Sequence, residues 1–129
     1  ANQTVAAGTL YLSTLDFAKL GTLVINEGKW GNEQIVQADY VTKLIERRAF
    51  DLTDYWTLTD SYGMLWYKKQ RTINGRKFDY LWASGRGGNE LIAIPEENMV
   101  IALTSTAYGP RYGHSRAYDV LGKVLGAIK

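Results

Sequence analysis

The chain has 129 residues and no cysteine, and 46% of its residues are hydrophobic and 22% charged, which is typical of one globular unit and excludes disordered chains, disulfides and cysteine nucleophiles. Its formal charge is only +2, and its basic residues are scattered, whereas a nucleic-acid surface concentrates them in a stripe or patch. No stretch reaches the roughly 18 consecutive apolar residues of a membrane helix, so no membrane span is predicted. Taken together, these properties predict a single unit over residues 1–129 that binds no nucleic acid.

Two helices are predicted in the first half of the chain. The first covers residues 14–27, where Ser13 and Asp16 have the spacing of an N-terminal cap. Gly28 then supplies a glycine stop. The second helix covers residues 37–48, in which apolar residues recur at helical spacing along one face.

From residue 62 onwards the pattern is that of β-strands. Residues 62–67 predict one strand, and Asn74 followed by Gly75 predicts a type I′ hairpin because both residues tolerate positive φ. After this hairpin turn, alternation places three aromatic side chains on one face of the next strand, and we expect that face to be buried. These side chains are Phe78, Tyr80 and Trp82.

Two further strands and a last helix complete the predicted fold. The strands cover residues 91–94 and 99–104, and the tight connection between them makes them antiparallel. Ser115 is the predicted cap of the last helix, in which apolar residues form a stripe. The sequence therefore predicts an α+β fold, in which an antiparallel sheet of about five strands is flanked by N- and C-terminal helices.

The most unusual local sequence is the glycine-rich segment over residues 84–89. Glycine allows another chain or a ligand to lie against the backbone, and consecutive amides can form a small anion-binding hollow. The structural alternative is a plain glycine-rich hairpin or bulge. A dinucleotide-binding fingerprint is excluded, because the third glycine is missing and the segment leads into a strand instead of a helix.

Five segments of the chain resemble, in the right order, the distal half of the β-lactamase and penicillin-binding-protein type of serine hydrolase. Residues 6–21 are similar to the family's AGGLxSTxxDLAKFG stretch, and residues 28–36 to its GGKxxGKQIVS continuation. Residues 62–66 resemble its YGYGWW strand, residues 83–91 its glycine-rich GHGGxxG strand, and residues 94–105 its xxPxxxxVVVVLTN strand pair. The group includes class C β-lactamases, D-amino-acid peptidases, esterases and 6-aminohexanoate-oligomer hydrolases, and the resemblance implies a partial β-lactamase-like fold.

The resemblance also implies roles for four residues of the glycine-rich segment. Catalysis in this family uses a Ser-x-x-Lys pair, a Tyr-x-Asn or Ser-x-Asn element and a Lys-Thr-Gly-type triplet, and the third corresponds to Arg86, Gly87 and Gly88. Arg86 stands where the family has Lys or His, and a guanidinium suits binding of a substrate carboxylate better than proton transfer. The backbone amide of Asn89 would form half of the oxyanion hole.

The loop before the last helix would border the substrate cleft in the same family, which makes Tyr108 and Tyr112 candidate substrate contacts. The substrate would be a small amide, ester or β-lactam, and the resemblance favours a periplasmic or secreted location. No cofactor is implied. His114 is the only histidine, so a metal site built on several imidazoles is excluded, and we interpret His114 as a solvent-exposed loop residue.

The other two catalytic elements are missing from the sequence. None of the five serines has lysine at the third position after it, and no tyrosine or serine is followed two residues later by asparagine. We therefore predict that the chain is a C-terminal fragment, inactive alone because an unpaired serine is a weak nucleophile. Its partner would be a preceding N-terminal segment, and the surface which that segment would cover predicts self-association.

The alternative is a non-catalytic binding module derived from the same fold. Such a module would keep the sheet and the glycine-rich edge, and it would hold a small anionic ligand or peptide through Arg86. An upstream Ser-x-x-Lys pair in the parent protein would favour the enzyme, and its absence would favour the binding module.

Overall fold

The structure is a computed structural model that describes residues 10–46, 50–54, 57–108 and 112–128. In these ranges, a short pair of strands separates the first two helices, and six consecutive strands separate the second helix from the third. They are α1 (Thr14–Ile25), β1 (Lys29–Trp30), β2 (Glu33–Gln34), α2 (Ala38–Glu46), β3 (Phe50–Asp51), β4 (Ser61–Gly63), β5 (Trp66–Ile73), β6 (Arg76–Gly85), β7 (Asn89–Ile94), a 3-10 turn (Pro95–Glu97), β8 (Met99–Leu103) and α3 (Tyr112–Ala127).

Strands β3 to β8 form one antiparallel sheet in which every strand pairs with its neighbour in the sequence. Strands β1 and β2 form a separate two-stranded hairpin after α1. The predicted α+β class is confirmed, with six strands in the main sheet instead of about five. From β4 to β8 the connections have only two to four residues each, because successive antiparallel strands can be joined by tight turns.

The hairpin predicted at Asn74 and Gly75 is confirmed. Both residues have positive φ, 51° and 81°, as a type I′ turn requires. The turn joins β5 to β6, and the register pairs Ile73 with Arg76. This register places the aromatic residues of β6 on the sheet face that α3 covers.

Each face of the sheet has its own core. On one face, Leu121 and Leu125 of α3 pack against the buried aromatic residues Phe78, Tyr80 and Trp82, which confirms the aromatic face. On the opposite face, buried residues of α1 and α2 pack against β6 and β7; they are Val24, Val41, Leu44, Leu81 and Ala93. The terminal helices therefore lie on opposite faces of the sheet.

The prediction of one strand over residues 62–67 is wrong. Met64 and Leu65 have φ values of 52° and 68°, so the chain reverses there and Gly63 pairs with Trp66 across the turn. Neither central residue is Gly, Asn or Asp, the residues that signal such a turn. Packing of Met64 against the core of α1 and α2 stabilises a backbone conformation that the local sequence does not favour.

The helix bounds also differ from the predicted ones. Ser13 caps α1 as expected, and its hydroxyl accepts a hydrogen bond from the Asp16 amide at 3.1 Å. Helix α2 ends at Glu46, and residues 47–48 of its predicted range lie outside the described residues. Helix α3 begins at Tyr112, so Ser115 is not its cap. Over the described part of the chain, no helix combines the length and the apolar character that a membrane span needs.

Candidate functional site

Residues 85–88 form a tight turn between β6 and β7, which we call the glycine turn. The Gly88 amide donates a hydrogen bond to the Gly85 carbonyl at 3.2 Å. Gly87 has a φ of 88°, and the third position of a type II turn needs such a positive φ. Gly88 follows with a φ of 83°, so two consecutive residues adopt a backbone conformation that favours glycine.

The glycine turn is packed tightly on one side. A Cβ on Gly88 would lie 2.7 Å from the Gly113 carbonyl oxygen, and a Cβ on Gly87 would lie 2.8 Å from the Tyr108 ring. Both distances are shorter than any ordinary carbon contact. The absence of a side chain at Gly87 and Gly88 therefore lets the start of α3 and the Tyr108 ring rest directly on the turn.

Asn89 fixes the other end of the glycine turn. Its Nδ2 donates to the Arg86 carbonyl at 3.0 Å, and its Oδ1 accepts from the Ser105 amide at 3.0 Å. The turn is thus tied to the chain that leaves β8. The Arg86 side chain is exposed and forms no ion pair with the described residues, so its guanidinium is available to a ligand.

An apolar surface lies at the same end of the sheet. The hydroxyls of Thr14 in α1 and Thr104 after β8 are 3.0 Å apart, which brings the start of α1 to the end of the sheet that carries the glycine turn. Around that start, four large apolar side chains are between 44% and 94% exposed. These residues, which we call the apolar edge, are Leu10, Tyr11, Leu12 and Leu15.

The predicted site residues therefore gather at one end of the sheet. Arg86, Gly87 and Gly88 lie in the turn, and Asn89 is the first residue of β7. Tyr108 contacts Gly87, and its side chain is 60% exposed. The remaining candidate, Tyr112, is the first residue of α3, but its side chain lies outside the described part of the structure.

A cluster of three polar side chains, which no sequence pattern predicted, lies directly beneath the glycine turn. The Ser84 hydroxyl donates to Glu90 Oε1 at 3.0 Å, and His114 Nδ1 is 2.8 Å from the same oxygen and 3.0 Å from the Ser84 hydroxyl. The interpretation of His114 as a solvent-exposed loop residue is wrong, because it lies in the first turn of α3 with its side chain 32% exposed.

Glu90 is almost completely buried, with 1% of its surface exposed. Burial raises the pKa of its carboxyl to about 7, although hydrogen bonds from His114 and Ser84 act in the opposite direction. Its second oxygen, Oε2, has no hydrogen-bond partner among the described residues. The Glu90 residue borders a cavity of about 10 Å³ that Tyr80 and Tyr118 also line. The carboxyl therefore holds its proton at pH values where exposed glutamates have lost theirs.

The cluster does not have the geometry of a catalytic triad. In a triad the histidine uses one ring nitrogen for the serine and the other for the carboxylate. Here Ser84 and Glu90 both meet His114 through Nδ1. The arrangement is suited to holding three structural elements together.

Part of this cluster could have been found in the sequence. Ser84 and Glu90 are cross-strand partners, and a correct hairpin register around the glycine turn would have paired them. A charged residue at the start of an apolar strand is a further signal, since buried carboxylates need partners. His114 lies 24 residues beyond Glu90 and on a different element, so no local pattern connects the two.

A larger cavity than the one beside Glu90 lies elsewhere in the described structure. It has a volume of about 380 Å³, and Ile45, Asp60, Lys68 and Pro95 are among the residues around it. None of the predicted site residues lines it. In the described ranges, no three His, Cys, Asp or Glu side chains are placed to hold a metal ion.

Comparison of the chain with protein-family models and with curated proteins gives no match.

Proposed function

We propose that the chain provides the oxyanion-side half of an acyl-transfer site in a serine hydrolase of the β-lactamase type. The observation that carries this proposal is the glycine turn, whose main chain is fixed by Gly113, Tyr108 and Ser105 while Arg86 stays exposed and unpaired among the described residues. A fixed backbone edge beside an exposed guanidinium can bind a carbonyl oxygen and a carboxylate of one small substrate.

The reaction would proceed through an acyl-enzyme. A serine of the preceding segment attacks an amide, ester or β-lactam carbonyl, the leaving nitrogen or oxygen takes a proton, and water then hydrolyses the ester that was formed. The amide of Asn89 would stabilise the oxyanion together with the amide of that serine. Arg86 would bind the substrate carboxylate, since a guanidinium stays protonated at physiological pH and cannot act as a base.

The apolar edge supports the proposal that a further segment of the protein packs against this chain. Exposed apolar patches are typical of surfaces that another segment covers, and this one lies at the sheet end that carries the glycine turn. A nucleophile on a segment packed there would be near Asn89 and Arg86. In the chain by itself, we expect the apolar edge to drive the predicted self-association.

An N-terminally extended protein tests the proposal. With the residues encoded upstream restored, a fluorophosphonate should label one serine, and the protein should hydrolyse a chromogenic ester or cephalosporin. The chain alone should be at least about 10⁴-fold less active, the order of magnitude lost when a nucleophile or its base is removed. Replacing the serine of the upstream Ser-x-x-Lys pair by alanine is the control, and it should abolish labelling. Labelling of the 129-residue chain, or of neither form, would contradict the proposal.

The second candidate function, a non-catalytic module that binds anions, is favoured by the Arg86 side chain, which is exposed and forms no ion pair with the residues that the structure describes. In that case the chain alone should bind inorganic phosphate, and Arg86→Ala should weaken binding at least about tenfold through loss of a charge-assisted hydrogen bond. Lys77→Ala is the matched control, because Lys77 is exposed near the opposite end of β6. An NMR titration that follows the amides of residues 86–89 measures the affinity. Equal affinities of the two variants would exclude this role of Arg86.

A further inference from the structure

The start of α3 is joined to the β6–β7 hairpin at two adjacent levels. At the upper level, the backbone of Gly113 touches Gly87 and Gly88. At the lower level, one residue pair below the turn, His114 Nδ1 contacts Glu90 Oε1. The upper contact involves backbone packing, whereas the lower one is a short polar contact that the protein largely buries.

The lower contact is specific because Glu90 has few polar neighbours. Ser84 and His114 both approach its Oε1, while Oε2 has no hydrogen-bond partner in the described structure. On β8 the register partner of Glu90 is Leu103, an apolar residue. His114 is therefore the residue of α3 that makes a polar contact with the Glu90 carboxyl.

Helix α3 is also held one turn further along. Arg71 of β5 donates to the Tyr118 carbonyl at 2.8 Å, and its guanidinium lies 3.9 Å from the centre of the Tyr118 ring. Leu121 and Leu125 anchor the rest of the helix in the core. Loss of the His114 contact should therefore loosen only the first turn of α3 and leave the fold intact.

We propose that His114 and Glu90 are positioning residues, whose contact holds the first turn of α3 against the glycine turn and so keeps the turn in its anion-binding shape. The anion-binding part of this inference rests on the proposed function. The positioning part does not, because it follows from the contacts of Gly113 and His114 alone. Neither residue is assigned a contact with the substrate.

The test compares His114→Leu with His114→Asn. The amide of asparagine can replace Nδ1 as a donor to Glu90, whereas leucine cannot donate. In His114→Leu, backbone amides of residues 87–89 and 113–116 should exchange with solvent about tenfold faster, the factor that corresponds to one lost hydrogen bond. Affinity for inorganic phosphate at the turn should fall by a similar factor, and His114→Asn should stay within about threefold of the natural protein in both measurements. Ser115→Ala, an exposed neighbour on α3, is the control.

The two measurements separate the positioning role from the proposed function. Unchanged amide exchange at residues 87–89 in His114→Leu would overturn the positioning role, whatever the phosphate titration shows. Faster exchange in a protein that binds no phosphate in its natural form would support the positioning role and contradict the proposed anion site. His114→Ala is a second variant for the case that leucine disrupts the fold, and the same exchange pattern is expected for it.

Discussion

Replacing Gly88 by alanine should lower the free energy of unfolding by about 3 kcal/mol. A non-glycine residue at a φ of 83° costs about 1 kcal/mol. The new Cβ would also lie 2.7 Å from the Gly113 carbonyl oxygen and 2.8 Å from its carbonyl carbon. Both atoms belong to backbone, so α3 and the turn must move apart, at a cost of about 2 kcal/mol.

Gly75→Ala is a matched control for this prediction. Gly75 has nearly the same φ, 81°, but a Cβ there meets no atom within 4 Å. The free energy of unfolding should therefore fall only by the cost of the positive φ, about 1 kcal/mol. Urea unfolding followed by circular dichroism measures both variants. Equal losses would show that the glycine turn and Gly113 are not in close contact.

Glu90→Gln should make the protein less sensitive to pH between about pH 4 and pH 8. In the folded protein burial raises the pKa of Glu90 to about 7, whereas an exposed glutamate has a pKa near 4.5. This difference corresponds to about 3 kcal/mol. Because glutamine does not ionise, the variant should gain about that amount relative to the natural protein as the pH rises from 4 to 8.

The sign follows from which state holds the proton. Below pH 4.5 the Glu90 carboxyl is protonated in both states, and its stabilising contribution is fully present. Between pH 4.5 and about 7 the unfolded chain releases the proton while the folded protein keeps it, so stability falls as the pH rises through this window. Above about pH 7 the carboxyl is ionised in both states, and the loss is complete.

Unfolding by urea at several pH values measures this effect for Glu90→Gln and for a control, Glu96→Gln. Glu96 is exposed in the 3-10 turn after β7, so its replacement should leave the pH dependence as in the natural protein. A difference between Glu90→Gln and the natural protein that stays constant from pH 4 to pH 8 would contradict the raised pKa of the buried carboxyl.

Local patterns in the sequence were sufficient where one residue type or one period decides the conformation. Asn74 and Gly75 predict their hairpin because few other residues adopt positive φ readily. Alternation along β6 predicts the buried face of Phe78, Tyr80 and Trp82, since successive side chains of a strand point to opposite faces. The capping pair at Ser13 predicts the start of α1 for a similarly local reason.

Tertiary packing decided the features for which the local signal is absent or misleading. The reversal at Met64 and Leu65 lacks turn-forming residues, and its two positive φ values are tolerated because Met64 packs against a core built by distant helices. The start of α3 lies at Tyr112, before the apparent cap Ser115, where the backbone of Gly113 rests on the glycine turn.

In the candidate site, too, some features follow from the local sequence and others depend on tertiary packing. The sequence by itself determined that residues 84–89 form a glycine-rich connection between two strands that carries a cation, because these properties follow from residue types within six consecutive positions. Only the tertiary structure brought His114 to Glu90 and Gly113 to Gly88. These contacts join residues more than twenty positions apart. They depend on how α3 crosses the sheet, and no local sequence pattern predicts that arrangement.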